Sequence, residues 1–312
     1  MVDTTRVIAA KTEATYGTDA APTLAANAIL TRNYSSTPLE VDQVQRNLDT
    51  RKFGASRQKP SNARYRSAYE VELAGSGAAG TAPKWMTLLA AAGMKAANVT
   101  AGQKAEQVFA QVGDPSSSLT EYAWTGDQLR KSVGQRGTFS LDFTAGALPF
   151  AGLQFTGLVP AAAPRSQAAP GAADFTGWIE PVEVNNENSL FTLDGFGAVT
   201  RSLRIEAGRN VALRSLVGAR YIKGGNHQAT ARVVIEAPGV AAKDYLAALA
   251  TGDLVAWSFV HGKTAGNIVE ASGTKAQITS IGETEEDDVL MFDIGLLLTV
   301  DGGADDLVLT AK

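Results

Sequence analysis

YEVELAGSGAAGTAPKWMTLLAAAG, residues 69–93, is the stretch on which the fold turns. Tyr69, Val71 and Leu73 alternate with Glu70 and Glu72, so a strand here puts apolar side chains on one face and carboxylates on the other. Such strands belong to antiparallel sheets with one wet face, because parallel strands covered by helices read as continuous apolar runs. A glycine-rich loop follows, then a short helix with Thr81 as N-cap, Pro83 early and Gly93 as stop. Trp85, Leu88, Leu89 and Ala92 give that helix one apolar stripe. At 233–252, VVIEAPGVAAKDYLAALATG repeats the order, with Tyr245, Leu246 and Leu249 as the stripe and Gly252 as the stop. Helices are expected near 83–92 and 241–251.

Working outward, other landmarks recur in one order. Leu30-Thr31-Arg32, Arg46-Asn47-Leu48, Ala123-Trp124-Thr125, Gly137-Thr138 and FTGL (155–158) come first. Val199-Thr200-Arg201, Arg214-Ser215-Leu216, Ala256-Trp257-Ser258, Gly273-Thr274 and DIGL (293–296) follow. Each match alone is weak; together with the helices they predict one small fold written twice. The expected class is mainly β: two tandem β-sandwiches, each with a short flanking helix, plus extended loops. Expected boundaries are an amino-terminal arm at 1–27, a first domain at 28–160, a linker at 161–187 and a second domain at 188–312. The spacing from Trp85 to Trp124 against Tyr245 to Trp257 puts an insertion at about 94–121, with a strand around Val108-Phe109. Thr138 to Phe143 alternates as cleanly as 69–73, and Leu203 and Ile205 do so between Arg204 and Glu206. VLMFDIGLLLTV (289–300) reads as one long buried strand or a strand pair.

Composition excludes several classes. A length of 312 residues suits two ordinary domains, and 45% apolar content suits globular packing over disorder. The formal charge of −4 argues against nucleic-acid binding through a basic face, though not against a surface over which DNA slides. Without cysteine there is no disulfide, thiolate metal site or thiol nucleophile. The first residues, MVDTTRVIAAKTEATYG, lack a signal-peptide core, and no run reaches the ~18 apolar residues of a spanning helix, so a soluble protein is expected.

Chemical signals are few. Gly75-Ser76-Gly77-Ala78-Ala79-Gly80 is a literal G-x-G-x-x-G, but its strand alternates in polarity, 237–244 replaces it without the glycines, and no βαβ unit follows. A flexible loop is expected there, and a nucleotide-dependent oxidoreductase is the weakest reading. His227 and His261 are the only imidazoles; both read as surface residues, with no nucleophile elbow or zinc spacing near them. Glu283-Thr284-Glu285-Glu286-Asp287-Asp288 reads as a solvated hairpin tip, since a calcium loop needs alternating acids and a glycine turn. Arg46, Arg51, Lys52, Arg57, Lys59, Arg64 and Arg66 read as a long exposed basic loop, 46–66, suited to acidic patches on a neighbouring subunit. No catalytic, cofactor or metal residues are expected.

EATYGTDAAPTLAANAIL (13–30), VQRNLDTRKFG (44–54), residues 69–93, RGTFSLDFTAG (136–146) and VVIEAP (233–238) together resemble the major tail tube proteins of long-tailed, non-contractile bacteriophages. The resemblance implies a structural virion protein whose sheets join between subunits into a barrel, stacked as rings around passing double-stranded DNA. It implies a tape measure protein, a tail terminator and a distal tail or baseplate protein as partners, and synthesis in the host cytoplasm. Single-fold members form hexameric rings, so a doubled chain points to three chains per ring. The wet-face acids Glu70, Glu72, Asp142 and Glu206 then become candidates for the lumen, and Arg46, Arg51, Lys52, Arg57, Lys59 and Arg64 for contacts between rings or subunits. The rival class is a secreted or surface β-sandwich adhesin or binding module.

Overall fold

A computed structural model describes residues 4–49, 53–115, 117–303 and 305–312. Its strands are β1 (Arg6–Thr12), β2 (Ala28–Ile29), β3 (Arg32–Val44), β4 (Lys59–Glu72), β5 (Asn98–Thr100), β6 (Lys104–Val108) and β7 (Leu119–Thr125). They continue as β8 (Gln128–Thr144), β9 (Phe150–Leu158), β10 (Arg165–Gln167), β11 (Ser189–Leu193), β12 (Phe196–Ala198), β13 (Thr200–Glu206) and β14 (Val211–Leu216). The last are β15 (Ala219–Gly224), β16 (Thr230–Glu236), β17 (Leu254–His261), β18 (Val269–Glu286), β19 (Val289–Leu298) and β20 (Val308–Ala311). The helices are α1 (Leu24–Asn27), α2 (Lys84–Ala91) and α3 (Tyr245–Thr251).

The chain is mainly β, with every described strand pairing antiparallel. One layer runs β3-β4-β9-β8-β13-β16-β19-β18. The other is built from β2-β1-β7-β8-β10 and from β12-β11-β17-β18-β20-β6-β5. β8 and β18 serve both layers. β8 leaves β7 for β9 at a bulge beside Gly134, whose φ of +60° suits glycine, and β18 changes partner at a bulge between Ile278 and Ser280. The apolar faces of both layers enclose a core that includes Ile8, Val71, Trp85, Leu141, Ile205, Trp257 and Ile294.

Element by element, β1, β2, β3, β4, α2, β7, β8, β9 and β10 have counterparts in β11, β12, β13, β16, α3, β17, β18, β19 and β20, with the same pairings. The two series join in both layers: β8 pairs with β13 over five residue pairs, and β6 with β20 over four. The segment 94–121 thus carries the β5–β6 hairpin as well as the start of β7, and its β6 extends the second series.

Several expectations change. Residues 6–12 are a strand zipped to β7 over seven pairs, not part of an arm, because Ile8 and Ala9 are buried on opposite faces. α2 begins at Lys84, with Pro83 before its first turn and Thr81 in the preceding turn. α3 begins only at Tyr245, because Asp244 caps it by accepting from the Ala247 amide at 2.9 Å. β4 starts at Lys59, so the basic loop is 45–58; Arg64 and Arg66 lie on the strand. Arg51 and Lys52 fall outside the described residues.

Candidate functional site

Alternation along β4, β9, β8, β13, β16 and β19 turns one face of the eight-stranded layer away from the core. Glu70, Glu72, Asp142 and Glu206 all stand on that polar face. The structure brings arginines among them. Arg32 Nε lies 2.6 Å from Glu70 Oε2, which also accepts from the Asn33 side chain at 3.0 Å. The Arg32 guanidinium stacks 3.0 Å above the Phe150 ring centroid. Arg204 lies 2.9 Å from Glu206 and opposite Asp142 in register across the β8–β13 junction. Arg232 pairs with Asp293 and holds its carboxyl below the usual carboxylate range. Among the described residues, no ion pair engages Glu72, Asp142 or Glu236, so the face alternates in sign with an acidic remainder.

The strand axes give the molecule two ends. At the hairpin end, the 45–58 loop and the β14–β15 hairpin leave the layer; at the other, the turn end, β8–β9 and β18–β19 close. Arg46 and Arg57 are exposed on the loop, and Lys59 opens β4. Arg64 is engaged between Glu40 and Asp42. Hydrogen bonding to Arg64 lowers the Glu40 carboxyl, and bonds from Asn62 and then Arg64 lower that of Asp42. The β14–β15 hairpin carries Arg214, Arg220 and Lys223 without a carboxylate between residues 211 and 224. It folds over the β4–β9–β8 strands. The Ile222 amide donates to Tyr16 Oη at 2.6 Å, and Arg136, stacked over Tyr16, donates to the Ile222 carbonyl at 2.8 Å. Tyr16 is positioned by buried Glu13, which accepts from the Gly17 and Gly134 amides and from Ser118 and Thr120.

The glycine motif is a backbone crossing, not a flexible cradle. The Gly75 amide donates to Asn267 Oδ1 at 2.8 Å and the Gly77 amide to the Gly266 carbonyl at 2.9 Å. A Cβ on Gly75 would stand 1.9 Å from that same carbonyl. These two amides, which a pyrophosphate would need as donors, already have partners inside the fold.

Neither histidine is an exposed surface residue: His261 is buried and His227 half-buried. His227 stacks on Phe109 with 3.9 Å between centroids, and its Nε2 lies 2.8 Å from buried Asp306. His261, 2% exposed, sits between the Ser189 hydroxyl at Nδ1 and the Val182 carbonyl at Nε2, fastening 182–189 to β17. Burial lowers its pKa. Glu121 is fully enclosed: Tyr34 and Tyr65 hydroxyls lie 3.0 and 3.2 Å from Oε1, and Ser67 Oγ donates to Oε2 at 2.9 Å. Desolvation raises its pKa against those hydrogen bonds. Its position inside the apolar run LTEYAWT (119–125) was the available signal that a buried polar knot sits there. Among the described residues, no three His, Asp or Glu side chains gather to hold a metal, and no helix is long and apolar enough to cross a membrane.

A family model described as phage tail tube protein matches residues 4–303. No curated protein matches the chain.

Proposed function

The chain belongs to the phage tail tube protein family, and we propose from that premise that three copies close into a ring, that rings stack into the tail tube, and that the polar face lines its bore. The carrying observation is the β8–β13 junction, where residues 140–144 pair with 202–206 inside one chain. In the proposed assembly, each chain is two copies of one fold, 6–167 and 189–311, and this junction is the template for every other. β18 corresponds to β8 and β3 to β13. Beyond residue 277, β18 has only β19 beside it among the described strands, and β3 has only β4. Unpaired edges of this kind invite strand pairing. Joining β18 of one chain to β3 of the next repeats the internal junction at a fixed rotation, and such heterologous contacts close into rings.

Dimensions favour three. Eight strands per chain at ~4.8 Å spacing and ~40° tilt give three chains a backbone diameter of roughly 48 Å. Removing a side-chain layer of about 5 Å on each side leaves roughly 38 Å. Two chains would leave about 22 Å, hardly more than a double helix roughly 20 Å across. The bore is wide enough for DNA, mildly acidic and laced with ion pairs, which avoids the counterion release that makes a basic channel adhere. The role is structural, without catalysis, as a virion component working beside other tail proteins. Electron microscopy of concentrated protein tests this: stacked rings with three chains each are expected. Six full-length chains per ring would overturn the trimer, and monomers at every concentration would overturn the tube.

A further inference from the structure

An apolar groove opens at the turn end, where the two series meet. It holds about 420 Å³ between Phe143, Val184, Leu190, Phe191, Val199 and Phe259. Leu190 and Val199 are 57% and 62% exposed, so apolar surface is left open there. Beside it, sharing Ala145, Val199 and Thr200, lies a second depression lined by Glu236, Glu286 and Asp287 with Arg201. Glu187 is exposed next to the groove-lining Asn185 and Asn186. The turn end therefore presents an apolar slot with a mainly acidic rim.

The hairpin end carries the complementary shape. The β14–β15 hairpin ends in Leu216 and Val217, 55% and 108% exposed, with Gly218 at φ +86° making the turn. Arg214, Arg220 and Lys223 flank this tip. Thr200 lines the groove and Glu206 ends the same strand where the hairpin departs, so tip and groove lie at opposite ends of one path. Seven residues of β13 and six of β14 span at most about 44 Å together. Arg220, beside the tip, donates to the Ala63 carbonyl at the hairpin end of β4, which holds the tip away from the groove of its own chain.

We propose that the Leu216–Val217 tip of one copy seats in the Phe143–Leu190–Val199 groove of a second copy stacked end to end, with Arg214 and Arg220 against the acidic rim. This rests on the tube reading and adds its polarity: hairpin end to turn end, with an axial rise no greater than the span of β13 and the hairpin. Apolar contact at the tip supplies adhesion, while opposed charges exclude the two like-ended stackings.

The absence of cysteine makes the test direct. Val217→Cys and Leu190→Cys are made in separate proteins, mixed at a concentration where the wild type forms tubes, and oxidised. A disulfide-linked pair is expected, since only different chains can link, while Val217→Cys with Val240→Cys, an exposed position outside the groove, should stay unlinked. Val217→Asp should keep its circular dichroism and lose tube growth. Tubes from wild type without the Val217–Leu190 link, or tubes from Val217→Asp, overturn this proposal and leave the tube reading standing. A link from Phe53→Cys to Leu190→Cys in its place would assign the groove to the segment between β3 and β4, which also overturns it. Failure of the wild type to form tubes at any concentration removes the reading beneath it.

Discussion

Replacing Trp85 by alanine tests whether the two strand series unfold as one body. Trp85 is 2% exposed on α2, and its indole N–H donates to the Ala74 carbonyl at 2.8 Å. Removing a buried tryptophan costs about 3–5 kcal/mol in transfer and cavity terms, and the orphaned carbonyl places the value near the top of that range. With an unfolding entropy of about 2.1 cal/mol/K per residue, ~4.5 kcal/mol lowers the Tm of a single 312-residue unit by roughly 7 °C. Were residues 6–167 an independent unit, the same cost would shift their transition by roughly 13 °C and leave the other in place. The structure favours one unit. Both layers run through the junction, Phe143 packs on Phe259 at 4.5 Å between centroids, and Phe109 of the first series stacks on His227 of the second. Differential scanning calorimetry of wild type and Trp85→Ala should show one endotherm moving by the smaller amount. Two endotherms, one unmoved, would refute the shared core.

Gly75→Ala should destabilise by about 1–3 kcal/mol in urea unfolding, since its Cβ must displace the Gly266 carbonyl; an unchanged midpoint would count against the backbone crossing. Glu121 has a raised folded pKa, so its ionisation disfavours the folded state as pH rises from the unfolded value near 4.3 through the folded one. Melting temperatures of wild type relative to Glu121→Gln should therefore fall as pH rises above about 4.3, and a constant difference would show that Glu121 does not titrate differently on folding. His261 acts in the opposite direction: its folded pKa is lowered, so stability falls as pH drops below about 6.5, and His261→Gln should flatten that limb of the melting profile. Tubes of Glu70→Lys with Asp142→Lys should gain DNA affinity that falls steeply between 50 and 200 mM salt, whereas wild-type tubes should bind weakly at both; equal binding would separate the polar face from the bore.

What the sequence disclosed was whatever repeats with a local period. β4, the second half of β8 and α2 show their faces through alternation or a stripe, and the acids of those strands stand on the polar face as their spacing demands. β1 was missed because its buried centre, Ile8 to Ala10, faces both ways, Ile8 in the main core and Ala9 in the cluster of Leu24 and Trp124, which erases alternation. Partners far along the chain were equally hidden: His227 finds Asp306 across 79 positions, and Gly75 finds Asn267 across 192. Some repeated letters were coincidence. Trp257 faces the main core while Trp124 faces a smaller cluster on the other side of its sheet, and Gly273 opposes Trp257 on β17 while Gly137 opposes Phe155 on β9. Pairing order survives where residue identity does not, because a strand's place depends on backbone hydrogen bonds and the side its apolar residues take.

That divergence between matching elements bears on the assembly. The β8–β9 connection, AGALP (145–149), has no charge, whereas its counterpart between β18 and β19 is Asp287-Asp288, preceded on β18 by Glu285 and Glu286. Between β3 and β4 the described residues 45–49 and 53–58 form no strand or helix, whereas β13 and β16 are joined by a hairpin resting on Tyr16 and Arg136. In a six-chain ring of identical single folds every position would offer the same tip and the same turn, and one ring could meet the next in any of six settings. On the trimer proposal, hairpin and acidic turn alternate with their plainer counterparts around the ring. Only every second position then offers a basic apolar tip, and only every second offers the acidic groove. Three settings satisfy both, and the other three set hairpins against uncharged turns. On the same proposal, doubling the fold within one chain lets its halves diverge, and that divergence would convert a ring with interchangeable positions into one whose rotation relative to its neighbour is specified by contact chemistry.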